Sequence, residues 1–319
     1  MLILNQNEIE KLLSPEEVLE AITQAFTLFH QRQFSMPDRM HTHYGNNTLL
    51  LMPCFTKSVF GTKLVSVNPE NVSKGWPAIN GIMVLNNGET GEALALFNGA
   101  ALTAIRTGAV GGIGIAHTAP ENASSLGIVG TGVQGFTQAV FATKVRPIKE
   151  ITVLDQNRKK AKTFIRKLEN ELPNVKVKTC KDNVELLQKS EIIICASSSQ
   201  TPVLPNNPLL LKGKCFVGIG SYKPEMREMP DALFPLLKKV WIDTPFAAQE
   251  TGDLAFPLSE KLLKKNQLHP LSELVVNGKT DSSETTFFKS VGMALFDVVV
   301  AEYMYEKALK KNVGTKIQL

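Results

Sequence analysis

Residues 125–136 read Ser-Leu-Gly-Ile-Val-Gly-Thr-Gly-Val-Gln-Gly-Phe. An apolar, β-branched run enters a turn with glycines at G-x-G-x-x-G spacing, and a helical pattern leaves it. Gly130 permits the tight turn, Gly132 lets backbone approach a ligand, and Gly135 lets the outgoing helix pack on the strand. The unpaired N–H groups at the helix start favour an anion. About 20 residues further on, Asp155 closes a second apolar run, Glu150–Leu154, where a carboxylate accepts from a ribose 2′-hydroxyl. This context predicts a nicotinamide dinucleotide on a Rossmann unit, with Thr131, Val133 and Gln134 completing the phosphate turn. Asp155 repels a 2′-phosphate and favours NAD(H). Arg158 and Lys159, close behind it, offset part of that repulsion and leave NADP(H) as an alternative.

The pattern around the turn agrees. Strand-like runs at Ser125–Val129, Glu150–Leu154, Val175–Thr179, Ile192–Ala196, Cys215–Ile219 and Val240–Ile242 alternate with helical ones at Gln134–Thr143, Lys159–Glu171 and Asn183–Lys189. Such alternation predicts an α/β fold with a doubly wound parallel sheet. Loops at strand C-termini line the cofactor cleft, which nominates Ala196, Ser197 and Ser198, and Ser221 after the next strand.

The N-terminal part has a different rhythm. Residues 8–33 read as an opening helix, with a capping box at Ser14-Pro15-Glu16-Glu17. Short strands follow at Thr48–Met52, Phe60–Val67, Ile79–Leu85 and Ala93–Phe97. Asn86-Asn87-Gly88-Glu89 predicts a type I′ hairpin turn. Leu102–His117 reads as a small-residue helix and Thr285–Lys310 as a long amphipathic one. A second, α+β domain is therefore expected over 1–119, completed by a C-terminal helix at about 290–319, with the Rossmann domain over 120–289.

Bulk properties exclude several classes. The net charge of +5, from 35 basic and 30 acidic residues, is spread along the chain, which argues against nucleic acid as a partner. Cys54, Cys180, Cys195 and Cys215 show no metal-ligand spacing and read as buried free thiols in a reducing compartment, with no metal. The first residues are too charged for a signal peptide. No apolar run is expected to approach the roughly 20 residues of a membrane span, so a cytoplasmic, soluble protein is expected.

With a nicotinamide bound, a substrate must offer a carbon that gives or takes hydride. Lys63 and Arg106 stand among apolar or small neighbours, and Arg39 follows Met36-Pro37-Asp38. A charge in such surroundings is costly unless paired, which suggests an anion such as a carboxylate. Read singly, each cation is equally consistent with an ordinary salt bridge. His41 and His43 read as loop residues, and Asp253 as a helix cap or a site residue.

Over nearly its whole length the chain resembles the ornithine cyclodeaminase/mu-crystallin family. The similar segments are Met36-Pro37-Asp38-Arg39, Leu51-Met52-Pro53, Gly61-Thr62-Lys63-Leu64-Val65 and Leu102–Ala109. They continue with Gly130–Gly135, Glu250-Thr251-Gly252-Asp253-Leu254 and Lys289-Ser290-Val291-Gly292. The resemblance implies a homodimer built through the N-terminal domain and a site between the two domains. It implies that Arg39, Lys63 and Arg106 hold an amino-acid carboxylate, that Thr107 joins the cofactor site, and that Lys289 and Ser290 lie near the nicotinamide.

Two positions depart from the family's cyclodeaminases. Those proteins carry a catalytic acid where this chain has Tyr222, and a glutamate for the distal amine where it has Met52. Both losses concern the acyclic diamine, whereas reducing a cyclic imine needs only a carboxylate clamp, a reduced nicotinamide and a proton source. The expectation is a ketimine reductase converting Δ1-pyrroline-2-carboxylate to L-proline, with the six-membered homologue to L-pipecolate as a further substrate. Lys63 or Tyr222 would handle the proton. Rival readings are an ornithine cyclodeaminase with a relocated acid, an amino-acid dehydrogenase, and a non-enzymatic binder of small ligands like mu-crystallin.

Overall fold

The structure, a computed structural model, describes residues 1–278 and 284–318. It falls into two compact units: Met1–Arg106 with Met293–Leu319, and Thr107–Gly292. The division runs inside a helix, between Arg106 and Thr107, whereas the sequence suggested the end of that helix.

The first unit opens with strand β1 (Leu2–Leu4), helix α1 (Gln6–Leu12) and helix α2 (Pro15–Gln31). The single helix expected over 8–33 is thus two. Leu13 is extended, and the Ser14 hydroxyl caps a fresh helix by accepting from the Glu17 N–H; a capping box starts a helix and so interrupts one in progress. Strands β2 (Met40–Tyr44), β3 (Asn47–Phe55), β4 (Val59–Val67), β5 (Ile79–Asn87) and β6 (Ala93–Asn98) form an antiparallel meander. β1 adds to β6 in parallel, and the C-terminal strand Thr315–Lys316 adds to β1. His41 and His43 therefore lie on a strand, not in a loop.

The hairpin between β5 and β6 forms, but not as type I′. Positive φ falls on Gly91 (75°) and not on Asn87 or Gly88. The Asn87 side chain instead accepts from the N–H groups of Glu89 and Thr90, an Asx turn that stabilises a longer loop. One face of the sheet carries Met52, Lys63 and Met83 in register across β3, β4 and β5. The C-terminal helix Ala294–Lys311 packs against these strands and α2. The tail is not one helix from Thr285: Thr286–Lys289 is a buried strand, and Gly292, at φ 77°, separates it from the helix. Its Thr-Phe-Phe run suits a strand, and Lys289-Ser290 and Gly292 break the apolar pattern where that strand ends.

Helix α3 spans Gly99–Thr118 and is long and apolar enough, by length and composition, to cross a membrane. This corrects the expectation that no run approaches that length. The helix is mostly buried in protein, and its glycines admit close neighbours, with Gln138 Oε1 only 1.7 Å from where a Gly111 Cβ would stand.

The second unit is a parallel sheet of β7 (Ser125–Val129), β8 (Glu150–Leu154), β9 (Lys176–Thr179), β10 (Ile192–Cys195), β11 (Cys215–Gly218), β12 (Val240–Ile242), β13 (Leu268–Pro270) and β14 (Thr286–Lys289). Helices α4 (Val133–Val145), α5 (Arg158–Glu171) and α6 (Asn183–Lys189) connect the first four. The spatial order β9-β8-β7-β10-β11-β14-β12-β13 begins with the 3-2-1-4-5 sequence of a Rossmann sheet. Its core gathers Ile193, Phe216, Leu233, Phe234 and Phe287, all buried. Of the four thiols, Cys54, Cys195 and Cys215 are buried and Cys180 only partly.

Candidate functional site

The order of the parallel sheet reverses between β7 and β10, and ligands of such sheets bind in the crevice outside the strand ends at that point. The turn after β7 is shaped for it. Gly130 has φ +100°, and a Cβ there would lie 2.6 Å from the Ala196 carbonyl oxygen, so only glycine fits. A Cβ on Gly135 would lie 2.3 Å from the Gly130 oxygen, while one on Gly132 would meet nothing within 4 Å. The open space is therefore at Gly132, the N-cap of α4, which has no side-chain cap. Val133 beside it is 65% exposed. The start of α4 is thus uncapped and open to approach, which fits a pyrophosphate.

Asp155 stands at the end of β8. Its Oδ2 accepts from the Thr131 N–H at 2.9 Å and the Thr131 hydroxyl at 2.6 Å. Its Oδ1 accepts from the Asn157 N–H at 2.7 Å. Burial raises its pKa, but these donors outweigh burial and the net shift is downward. Arg158 is exposed in the first turn of α5. Gln138 donates to the Thr107 carbonyl at 2.7 Å, tying α4 to α3 beside the turn. The residues present suit a dinucleotide.

Other predicted cofactor residues have partners within the protein. The Ser197 hydroxyl donates to Glu228 at 2.8 Å, and the Ser221 hydroxyl to the Met226 carbonyl at 2.6 Å. Lys289 is fully buried and paired with Asp253 at 3.1 Å; Ser290 donates to Asp243 at 2.7 Å. Ser198 is exposed. Asp253 is not the cap of its helix, because Thr251 fills that place. Tyr222 lies half-buried beyond β11, its phenol pushed up first by burial and then by Glu225. Among the described residues, no group of three His, Cys, Asp or Glu side chains is placed to hold a metal.

In the first unit the predicted cations do meet. Lys63, on β4, and Arg106, on α3, are 2% and 5% exposed. Asp297 on the C-terminal helix joins them, with Oδ2 at 2.8 Å from Lys63 Nζ and Oδ1 at 2.9 Å from Arg106 Nε. Lys63 also donates to the Thr103 hydroxyl at 3.2 Å. Burial lowers the Lys63 pKa to about 8; Asp297 opposes the shift, while Arg106 and Arg39 add to it. Arg39 is thus within electrostatic reach. Burial raises the Asp297 carboxyl, but Arg106 and then Lys63 bring it below its usual range. Met52 is buried directly across the β3–β4 pair from Lys63. Lys63 and Arg106 share the one carboxylate of Asp297, and the positive charge left over suits a carboxylate ligand.

Asp297 was not foreseen. Its only sequence signal is one acid inside the apolar run Ala294–Ala301, a place where a charge implies a buried partner.

A sequence model of the ornithine cyclodeaminase/mu-crystallin family matches residues 1–312. The chain belongs to this family. Among family relatives, the Δ1-pyrroline-2-carboxylate reductase of Bacillus cereus is 35% identical over 100% of both chains. The solved Δ1-pyrroline-2-carboxylate reductase of Thermococcus litoralis, in complex with NADH and L-proline, superposes with a TM-score of 0.94. It is 32% identical, with 99% of this chain and 100% of that one covered. An archaeal alanine dehydrogenase dimer with bound NAD has a TM-score of 0.92 and 30% identity, over 100% and 99% of the two chains.

Proposed function

We propose that this protein reduces Δ1-pyrroline-2-carboxylate to L-proline with NADH, and accepts the six-membered homologue to give L-pipecolate. The carrying observation is the buried Lys63–Asp297–Arg106 cluster, cationic in excess and flanked by apolar Met52 where a diamine substrate would need an acid. The relatives' names point the same way. NAD(H) is the cofactor that Asp155 favours; NADP(H) remains an alternative substrate for the same turn.

A reduced nicotinamide, when bound, supplies hydride to the imine carbon. Arg39, Lys63 and Arg106 bind the carboxylate and so orient the C=N bond, which converts an encounter into a positioned reaction. Lys63, with a pKa near about 8, is mostly protonated at neutral pH yet a stronger acid than an ordinary lysine. It is therefore suited to protonate the imine nitrogen. Tyr222 is the second candidate for that proton. Gly130–Gly135, Thr107 and Asp155 hold the dinucleotide, and Arg158, Ala196, Ser197, Ser198, Ser221, Lys289 and Ser290 line or support that site.

We also assign a homodimer. Strand register places Met40, Leu49 and Ile82 on the sheet face opposite Lys63, and they are 55%, 41% and 42% exposed. Contiguous exposed apolar side chains of this kind favour association.

The deciding experiment follows NADH oxidation with Δ1-pyrroline-2-carboxylate and with pyruvate plus ammonia, and ammonia release from L-ornithine in the presence of NAD⁺. Rapid turnover of the imine alone is expected. Faster reaction with pyruvate and ammonia, or ammonia release from ornithine, would replace this reading by an amino-acid dehydrogenase or a cyclodeaminase.

A further inference from the structure

The loops after β10 and β11 share a carboxylate. Glu228 is fully buried. Its Oε1 accepts from the Ser197 N–H at 2.6 Å and the Ser197 hydroxyl at 2.8 Å. Its Oε2 accepts from the N–H groups of Gly220 at 2.9 Å and Ser221 at 3.1 Å. The Glu228 backbone is anchored as well, its N–H donating to Asp253 at 2.7 Å and its carbonyl accepting from Val203 at 2.9 Å.

The segment this carboxylate holds has no slack. A Cβ on Gly130 would stand 2.6 Å from the Ala196 oxygen, and one on Gly220 would stand 2.0 Å from the Ser197 oxygen. Residues 196–197 therefore run between the phosphate turn on one side and Gly220 on the other, at the point where the strand order reverses. A displacement of this segment must move the phosphate turn.

We propose that Glu228 is the positioning residue of the dinucleotide crevice: its ionised carboxylate holds the 196–197 segment and Gly220–Ser221 at the spacing the cofactor needs. The inference rests on reading the second unit as a nicotinamide site, and it adds a residue that touches no ligand. Four donors face the carboxylate, so only the unprotonated form satisfies all of them; a proton or an amide sets donor against donor. Three charged or titratable groups bear on it. Lys289 on β14 favours ionisation, Asp253 opposes it, and Cys195 on β10 stays a neutral thiol because burial holds its pKa far up. Burial is the largest influence on Glu228 itself and raises its pKa. Mild acidification thus reaches this group, while Asp155, shifted downward, stays ionised.

The test is NADH binding by fluorescence titration without imine, at about pH 8.5 and about pH 6, for the wild type and Glu228→Gln. In the wild type, affinity should fall at least about fivefold on acidification, as protonation removes an acceptor. Glu228→Gln should bind at least about tenfold more weakly than wild type at the higher pH, with no pH step. Its KM for the imine at saturating NADH should stay within about twofold. Binding by the folded variant within about twofold of wild type, or a flat wild-type pH series, overturns the proposal. Should the variant not fold, the wild-type series decides alone. Absence of NADH binding by the wild type at both pH values overturns the reading of the unit itself.

Discussion

Replacing Asp297 by asparagine separates the two jobs of the buried cluster. The side chain is 1% exposed and sits between Lys63 and Arg106 at 2.8 and 2.9 Å. Removing one partner of a buried ion pair costs about 3–5 kcal/mol, because a charge is left without compensation. Asparagine keeps one oxygen, so the loss should fall near the lower bound, about 3 kcal/mol. Chemical denaturation followed by tryptophan fluorescence reads it. The second effect is on Lys63. Asp297 is the strongest group holding this lysine protonated against burial. A unit charge at about 4 Å contributes about 4 kcal/mol at an effective dielectric constant near 20. That is about three pKa units, and solvent relaxation leaves at least about one. The sign follows from the chemistry: the Lys63 cation binds carboxylate and supplies the proton, so kcat/KM for the imine falls as pH rises through its pKa. The wild-type decline should lie near about pH 8, and in Asp297→Asn it should begin at about pH 7 or lower. NADH oxidation at subsaturating imine gives the profile. An unshifted alkaline limb with a uniformly lower rate would refute the coupling.

Three further outcomes are expected. Arg106→Ala should reduce kcat/KM for the imine by about 10- to 100-fold, the worth of one charge-assisted hydrogen bond. Calorimetric titration should find its NADH affinity unchanged. Gly130→Ala forces a Cβ to 2.6 Å from the Ala196 oxygen at φ +100°, so it should lose about 2 kcal/mol and show a smaller NADH-induced rise in melting temperature. Asp155→Asn should weaken NADH binding about tenfold while raising the NADPH-to-NADH ratio in parallel initial-rate assays. An unchanged ratio would remove Asp155 from cofactor choice.

The features legible in the sequence were those with a local signature. The phosphate turn, the alternation around it and the hairpins all lie within a few residues of the forces that shape them. The capping box at Ser14 also showed where one helix must start, although apolar spacing on both sides of it let two helices be read as one. At Thr286–Lys289 a short buried strand lies just ahead of a buried helix, and period alone does not separate such short apolar runs, although Ser290 and Gly292 mark the break. Lys63 and Arg106 were visible as cations in apolar surroundings. Asp297 and Glu228 were not, because each acts through partners brought together by folding: Asp297 meets Arg106 across 191 residues, and Glu228 meets Ser197 across 31. A lone acidic residue has no periodicity to betray it.

The bonds between Asp155 and Thr131 have an evolutionary consequence. The carboxylate that would choose between the two dinucleotides also closes the phosphate turn, since both Thr131 donors end on one of its oxygens. A lineage drifting towards the phosphorylated cofactor cannot exchange Asp155 alone for a residue without an acceptor oxygen, because the turn would keep two donors with nothing to receive them. Position 131 has to change with it, or first. A complete switch to the phosphorylated cofactor is therefore expected to run through both positions, and its ancestry should be traceable as paired substitutions at 131 and 155.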